Sequence, residues 1–473
     1  MKNSAAYQPP AHGWRTFWIV WLTQSFSALG SQLTFFAIII WLTQVLYPLP
    51  EQKPELAFAI SALGICFGVP AIFGAPLAGA FADRHDRKRT MMTVDFLSGL
   101  LSLTLMALIL GQSLQLWMLL ILAVIGSILS SFHWSAFNTS YAMIVPEKQL
   151  PRANGMMQTT EALSGILAPA IAATLISLPA LARQGAISGA LGASLASLGD
   201  GSALAIGFDA ITFFIAAATL LFLFIPSPQR ADMQEGKPRV SIWADVREGA
   251  TYIWLRRPML WLLGTFAVIN LVGAPMGVFQ TLILKFNLAP DWSARGFTFE
   301  TALALLNTFA SVGGVAGGLL ISAWGGLKSR RVYGILIPMI VAGVVQVAFG
   351  LSPLIYFSAA LLFFRNAMSP ILNAHSQAIW QAQTPHELQG RVFAVRRLIA
   401  QFTFPIGTAL GGWAAGVFDV GAITAVLAGI MIVFCLAQLF NPYLLRVEDH
   451  AWLEELAARA TAKSITPVSK RAA

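Results

Sequence analysis

Long runs free of Asp, Glu, Lys and Arg dominate this chain, falling at 16–50, 56–82, 96–146, 162–182, 210–229, 258–284, 301–327, 332–364, 366–386, 398–418 and 420–445. A helix crosses about 30 Å of hydrocarbon in about 20 residues at ~1.5 Å per residue, so 96–146 is too long for one crossing, and 332–364 divides with its second helix continuing through Arg365 to about Trp380. Gly111-Gln112-Ser113 supplies the break in the first and Ser352-Pro353 the break in the second. The pattern therefore predicts twelve transmembrane helices, near 15–46, 56–82, 91–111, 114–141, 153–178, 204–226, 258–285, 299–324, 331–351, 353–380, 390–416 and 421–442. The predicted fold class is an all-α integral membrane protein.

Composition agrees: 57% of the 473 residues are hydrophobic, 11% are charged, and mean hydropathy is +0.70. That balance excludes a soluble globular enzyme. A net charge of +9 would suggest nucleic acid in a soluble protein, but the basic residues are sorted by side. One side holds Lys2, Arg15, the cluster Arg84/Arg87/Lys88/Arg89, Lys148, Arg152, six in 230–257, Lys328, Arg330, Arg331, Arg391, Arg396, Arg397 and five in the tail. The other holds Lys53, Arg183, Lys285 and Arg295. Because cytoplasmic loops are enriched in Lys and Arg, both termini are expected in the cytoplasm, and the charge is a topology signal with no nucleic-acid partner implied. Cys66 and Cys435 lie in apolar runs and read as packing residues, so neither a disulfide framework nor a metal site is expected. The start of the chain lacks signal-peptide organisation and is expected to be retained.

The one long polar stretch, 226–257, carries ten charged residues and separates an expected N-terminal six-helix bundle, 1–225, from a C-terminal one, 258–442, and a cytoplasmic tail, 443–473. Within this linker Trp243, Val246, Ala250 and Ile253 recur at helical spacing, which predicts an amphipathic helix on the membrane surface; a similar helix is expected near Ala451–Ala462. Gln184–Gly201, rich in Gly, Ala and Ser, reads as an extended outer loop. An offset of 239 aligns Gly74 with Gly313, Gly79 with Gly318, Gly111 with Gly350, Pro146 with Pro385 and Arg152 with Arg391, which points to a duplicated six-helix unit of the kind secondary transporters use.

After the second predicted helix stands Gly79-Ala-Phe-Ala-Asp83-Arg84-His-Asp86-Arg87-Lys88-Arg89, with a degenerate copy at Gly318–Arg331. Gly79 would permit close helix approach, and Asp83 could face the positive end of a helix in the other half. This segment resembles the loop signature of the major facilitator superfamily, a resemblance that covers essentially the whole chain. It implies two pseudo-symmetric six-helix bundles and an inward gate at Gly79, Asp83, Arg84, Arg87, Lys88 and the start of helix 11, Gly390-Arg391. Asp86 replaces a usual glycine and Ser322 the acid of the second copy, so Asp83 is expected to dominate. The link Ala378–Arg397 and its counterpart from Val145 to Gly155 look like those of macrolide-efflux proteins and enterobactin exporters. Gly165-Ile-Leu-Ala168-Pro169 resembles the antiporter signature of drug exporters, with Ala168 where a glycine is usual.

Charges inside apolar spans are costly and mark pathways or pairs. Asp95 is expected either to pair with Arg84 or Arg87 or to couple protons; Asp209, near a helix start, to cap, to meet an interfacial partner or to couple. Glu161 and Arg365 are deeper, at similar levels about 12 Å and 18 Å along their helices, and read either as a proton-responsive pair or as a static pair fixing packing. Gln24, Gln32, Asn270, Asn307, Asn373 and Gln377 are the expected polar lining of a substrate cavity, each also readable as a satisfied interhelical hydrogen bond. His133 reads as a packed or hydrogen-bonded residue. The resemblance implies a monomeric bacterial inner-membrane exporter of an amphipathic small molecule (drug, macrolide or siderophore) in exchange for protons, without cofactor. A lipid or lysophospholipid translocator and a non-transporting receptor or assembly protein remain alternatives. No metal-ligand spacing or phosphate-binding glycine loop suggests an enzyme.

Overall fold

The computed structural model describes residues 10, 12–82, 84–199, 201–226, 242–385 and 388–465, and every regular element among them is helical. Twelve long helices follow the apolar runs: α1 (Gly13–Ile40, continued by a π-helical turn Trp41–Leu46), α2 (Lys53–Ala82), α3 (Arg87–Leu110), α4 (Leu116–Ile144), α5 (Leu150–Arg183) and α6 (Ser202–Phe222). The second half supplies α7 (Arg257–Gly273, resumed at Met276–Leu282), α8 (Phe299–Trp324), α9 (Tyr333–Leu351), α10 (Ile355–Gln383), α11 (Gln389–Val417) and α12 (Val420–Gln438). Among the described residues eleven are long and apolar enough to span a membrane by themselves; α11 is less apolar, its charge-free stretch 398–417 being diluted by Gln401, Thr403, Pro405, Thr408 and four glycines. The breaks fall where expected. Gln112 turns the chain with φ +51°, and Ser352-Pro353 separates α9 from α10.

The same helix pairs pack in both halves, as a duplication requires. α1 packs on α5 as α7 does on α11, α3 on α4 as α9 on α10, and α3 on α6 as α9 on α12. α2 lies against α4, and α8 lies so close to α10 that a Cβ at Gly313 or Gly317 would sit 2.1 Å from the carbonyl oxygen of Phe363 or Ala367. By contacts the chain forms two compact units, Met1–Met233 with Leu284–Thr308, and Gln234–Ile283 with Phe309–Ala473. In the first unit Lys285 Nζ donates to the carbonyls of Thr43 and Tyr47 at 2.5 Å each, placing a cation on the C-terminal carbonyls that end α1.

Two expectations need correction. Gln184–Gly201 is not an uninterrupted loop, because Gly189–Ala196 forms a short helix whose Leu195 is buried. The linker does form a helix, Ile242–Leu255, but Tyr252 and Ile253 are only 7% and 2% exposed and pack with Trp380, Val392 and Leu453. The C-terminal part of its apolar face is thus covered by protein. Gly249 makes this possible, since a Cβ there would meet the Arg391 carbonyl oxygen at 2.7 Å. Arg256 Nη2 donates to both carboxylate oxygens of Glu454 on the tail helix (His450–Ile465), at 2.8 and 2.9 Å, and the guanidinium lies over the Tyr252 ring. Burial raises the pKa of the Tyr252 hydroxyl, which stays protonated and donates to the Gln383 carbonyl.

Asp86 has a local role: its carboxylate caps α3 by accepting from the Arg89 amide at 2.9 Å. Asp86→Ala is expected to cost about 1 kcal/mol, read as a fall of about 2–4 °C in the thermal midpoint of the detergent-purified protein. An unchanged midpoint would show that the cap is replaced by solvent.

Candidate functional site

Each unit contains one polar-lined cavity. In the first, α1 carries Gln24, Ser27, Ser31 and Thr34, and α3 carries Asp95, Ser98 and Ser102. Both series advance by three or four residues, so each forms a polar stripe down one helix face. The stripes border a cavity of about 420 Å³ whose remaining wall includes Trp21, Phe137 and Phe213.

Asp95 is fully buried. Gln24 Nε2 donates to its Oδ2 at 2.9 Å, and His133 Nε2 lies 3.1 Å from Oδ1. The sequence suggested Arg84 or Arg87 as its partner, but Arg87 points elsewhere: it is itself buried and donates to the carbonyls of Ala82 and Thr139 at 3.2 and 3.3 Å. Asp95 sits two turns into α3, whereas Arg87 opens that helix and is consumed by the ends of α2 and α4. Asp209 is also buried and is no cap. Its carboxylate accepts from Ser31 at 3.2 Å, Thr34 at 2.8 Å and Ser102 at 3.0 Å, joining α6 to both stripes. Gly30 allows this, because a Cβ there would lie 2.8 Å from the Asp209 carboxylate. Glu161 faces the same cavity, exposed, and makes no hydrogen bond or ion pair among the described residues of its unit. Gln32 also lines this space.

The second unit's cavity, about 640 Å³, is lined by Asn270, Asn373, Gln377 and Arg365 of the expected residues. Asn270 Nδ2 donates to the Ala400 carbonyl at 2.8 Å, tying α7 to α11, and Asn373 reaches Ser369 at 3.4 Å. Arg365 Nε donates to Gln346 Oε1 at 3.0 Å, and Arg396 donates to Gln377 Oε1 at 2.8 Å and Ser376 Oγ at 3.1 Å. Asn307, half-buried on α8, lines neither cavity.

The gate residues divide. Asp83 lies outside the described residues. Gly79 is not tightly packed, its nearest neighbour for a Cβ being Ser135 Oγ at 4.0 Å, and its repeat counterpart Gly318 has open space. The close approach belongs one turn away in the second unit, to Gly313 and Gly317. Arg84 is exposed, and Lys88 donates to the Leu221 carbonyl at the end of α6, at 3.1 Å. Gly390 has no neighbour that a Cβ would meet, and Arg391 pairs with Glu248 of the linker helix at 2.6 Å.

Sequence reasoning missed His133 as the partner of Asp95, the three hydroxyls on Asp209, and Gln346. The hydroxyls were detectable as helically spaced polar positions in apolar helices; His133 and Gln346 had no such signal.

Comparison with known proteins agrees with this architecture. The profile of the Major Facilitator Superfamily matches residues 20–362. Macrolide efflux protein A of Streptococcus pyogenes is 26% identical over 411 residues, covering 83% of this chain and 88% of the relative. Among solved structures, a bacterial homologue of the human lysosomal transporter Spinster, inward-facing and unoccupied, superposes with a TM-score of 0.58 at 15% identity over 96% of this chain and 99% of that one. The transporter PepTSo of the POT family gives 0.62 at 13% identity over 92% and 98%. Eleven apolar membrane-spanning helices among the described residues, a repeated packing scheme and a profile match over most of its length make this chain a multi-pass membrane transporter of the major facilitator superfamily.

Proposed function

We propose that the chain exports an amphipathic small molecule across a bacterial cell membrane by alternating access, as a monomer with both termini cytoplasmic, in exchange for protons. The observation that carries this reading is the cavity of the first unit, where Glu161, Asp95 and Asp209 share one mostly apolar space with His133 and no Lys or Arg. Carboxylates inside membrane-spanning helices are costly to bury and mark pathways or pairs. A cavity that offers both proton-accepting groups and aromatic walls can load a proton or an apolar cargo in turn. Resemblance to macrolide efflux proteins supports the direction and the cargo class. The gate at Asp83, Arg87 and Arg391 belongs to the same reading.

The test is flux in proteoliposomes with a panel of fluorescent amphipaths and an imposed pH gradient. Uphill movement that collapses with the gradient is expected; gradient-independent leakage of every compound would end the coupling claim. Orientation has its own check. A cysteine at Ser113 is expected to react with a membrane-impermeant maleimide on intact cells, and one at His85 to be protected; reversed labelling would invert the topology.

A further inference from the structure

The two cavities differ in charge. The first is lined by three carboxylates and an imidazole, with no Lys or Arg; the second is lined by Arg365, Arg396 and Arg397, with no Asp, Glu, Lys or His. In the second, each partner the arginines have is neutral. Arg365 is held through Nε by Gln346, itself backed by Met276 Sδ. Arg396 is held by Gln377 and Ser376 and lies 5.2 Å from the centroid of the Trp380 ring. Arg397 is exposed and makes no hydrogen bond or ion pair among the described residues of its unit.

Three cations with no counter-anion among the described residues of their own unit, on helices that otherwise read as membrane-embedded, are unfavourable. Gln346 fixes Arg365 by Nε and leaves its two terminal nitrogens uncommitted within the unit. That outer fork matches the two oxygens of a carboxylate or phosphate, a geometry ammonium groups lack. Around it stand Phe266, Phe393 and Phe404, an apolar surface able to receive a hydrocarbon or aromatic body.

We propose that the cavity of the second unit binds the oxyanion of an amphipathic molecule, a carboxylate or phosphate, with Arg365 taking two oxygens and Arg396 and Arg397 supplying the surrounding positive field. The cargo is then an amphipathic anion. This last step rests on the transport reading above; the binding site does not.

The test uses the full-length protein in phosphatidylcholine nanodiscs and three probes that differ only in the head: pyrenebutanoate, pyrenebutyl phosphate and pyrenebutyltrimethylammonium. Energy transfer from tryptophan to pyrene reports occupancy. At least one anionic probe is expected to bind tenfold or more tightly than the ammonium probe, and the preference between carboxylate and phosphate separates a carboxylic cargo from a phospholipid-like one. Arg365→Gln is expected to weaken the anions at least tenfold and leave the ammonium probe within twofold, while Arg365→Lys restores part of the charge effect without the fork. If Arg365→Gln does not fold, Arg397→Gln, at an exposed position, is expected to weaken the anions severalfold. Equal or tighter ammonium binding, or anion binding indifferent to a folded variant, overturns the site. Flux separates the claims: absence of pH-driven flux of any probe refutes the transport reading and leaves the site to the binding data, whereas pH-driven flux of cations only refutes the anionic cargo.

Discussion

Glu161→Gln is expected to abolish pH-gradient-driven uphill transport while cargo binding and downhill exchange survive. The three acids of the first cavity are not equivalent. Asp95 is engaged by Gln24 and His133, and Asp209 by Ser31, Thr34 and Ser102, so removing either carboxylate strands buried polar partners and disturbs packing. Glu161 has no such partner within its unit and faces the cavity, so the isosteric amide removes a titratable group with little structural cost. The variant can therefore carry cargo without exchanging a proton at that position. Measurement in proteoliposomes, with counterflow as the downhill assay, decides it. Retained uphill, pH-coupled transport would sink the assignment and move the proton to Asp209 or Asp95.

A large stability effect is expected at Gly313 and Gly317. A methyl group at either would overlap a carbonyl oxygen of α10 by about 1 Å, and the obstacle is backbone, which cannot swing aside. Overpacking of this kind costs about 1–3 kcal/mol per site, and because both glycines share one contact the double variant need not be additive. Gly314 and Gly318 on the same helix have nothing within 4 Å, so alanine there should be neutral or slightly stabilising through helix propensity. Thermal midpoints in detergent are expected to fall for Gly313→Ala and Gly317→Ala and to hold for Gly314→Ala and Gly318→Ala. Equal behaviour of all four would mean that α8 and α10 are not in backbone contact.

The helices were legible because hydrocarbon thickness acts on every crossing alike: apolar run length and a few breakers such as Gly111 and Pro353 locate all twelve. Side-chain partners were not legible from position along the chain. Asp95 and Arg87 are two turns apart on one helix, yet each is satisfied by a different neighbour, since helix rotation and not sequence distance decides what a side chain meets. The linker helix shows the same limit. Its amphipathic pattern announces a buried face, and a membrane surface or a protein surface would satisfy that pattern equally; Gly249, the residue that lets α11 approach, is a single position within it. Repeat register identifies such glycines only in part: the offset matched Gly74 with Gly313 and Gly79 with Gly318, yet of these four only Gly313 makes a tight contact, which it shares with the unmatched Gly317.

The membership of Leu284–Thr308 in the first unit has a consequence for how the protein is made. A ribosome completes α6 well before it reaches this segment, and about eighty residues must still be synthesised before the first unit has all its chain. At roughly 5–20 residues per second that interval lasts on the order of 4–16 s. Throughout it, the carbonyls of Thr43 and Tyr47 lack the Lys285 ammonium, and the first six helices are inserted but unfinished. A gene divided at the linker would make that interval permanent for its first product, so separately expressed halves should need each other in order to mature, not merely in order to work.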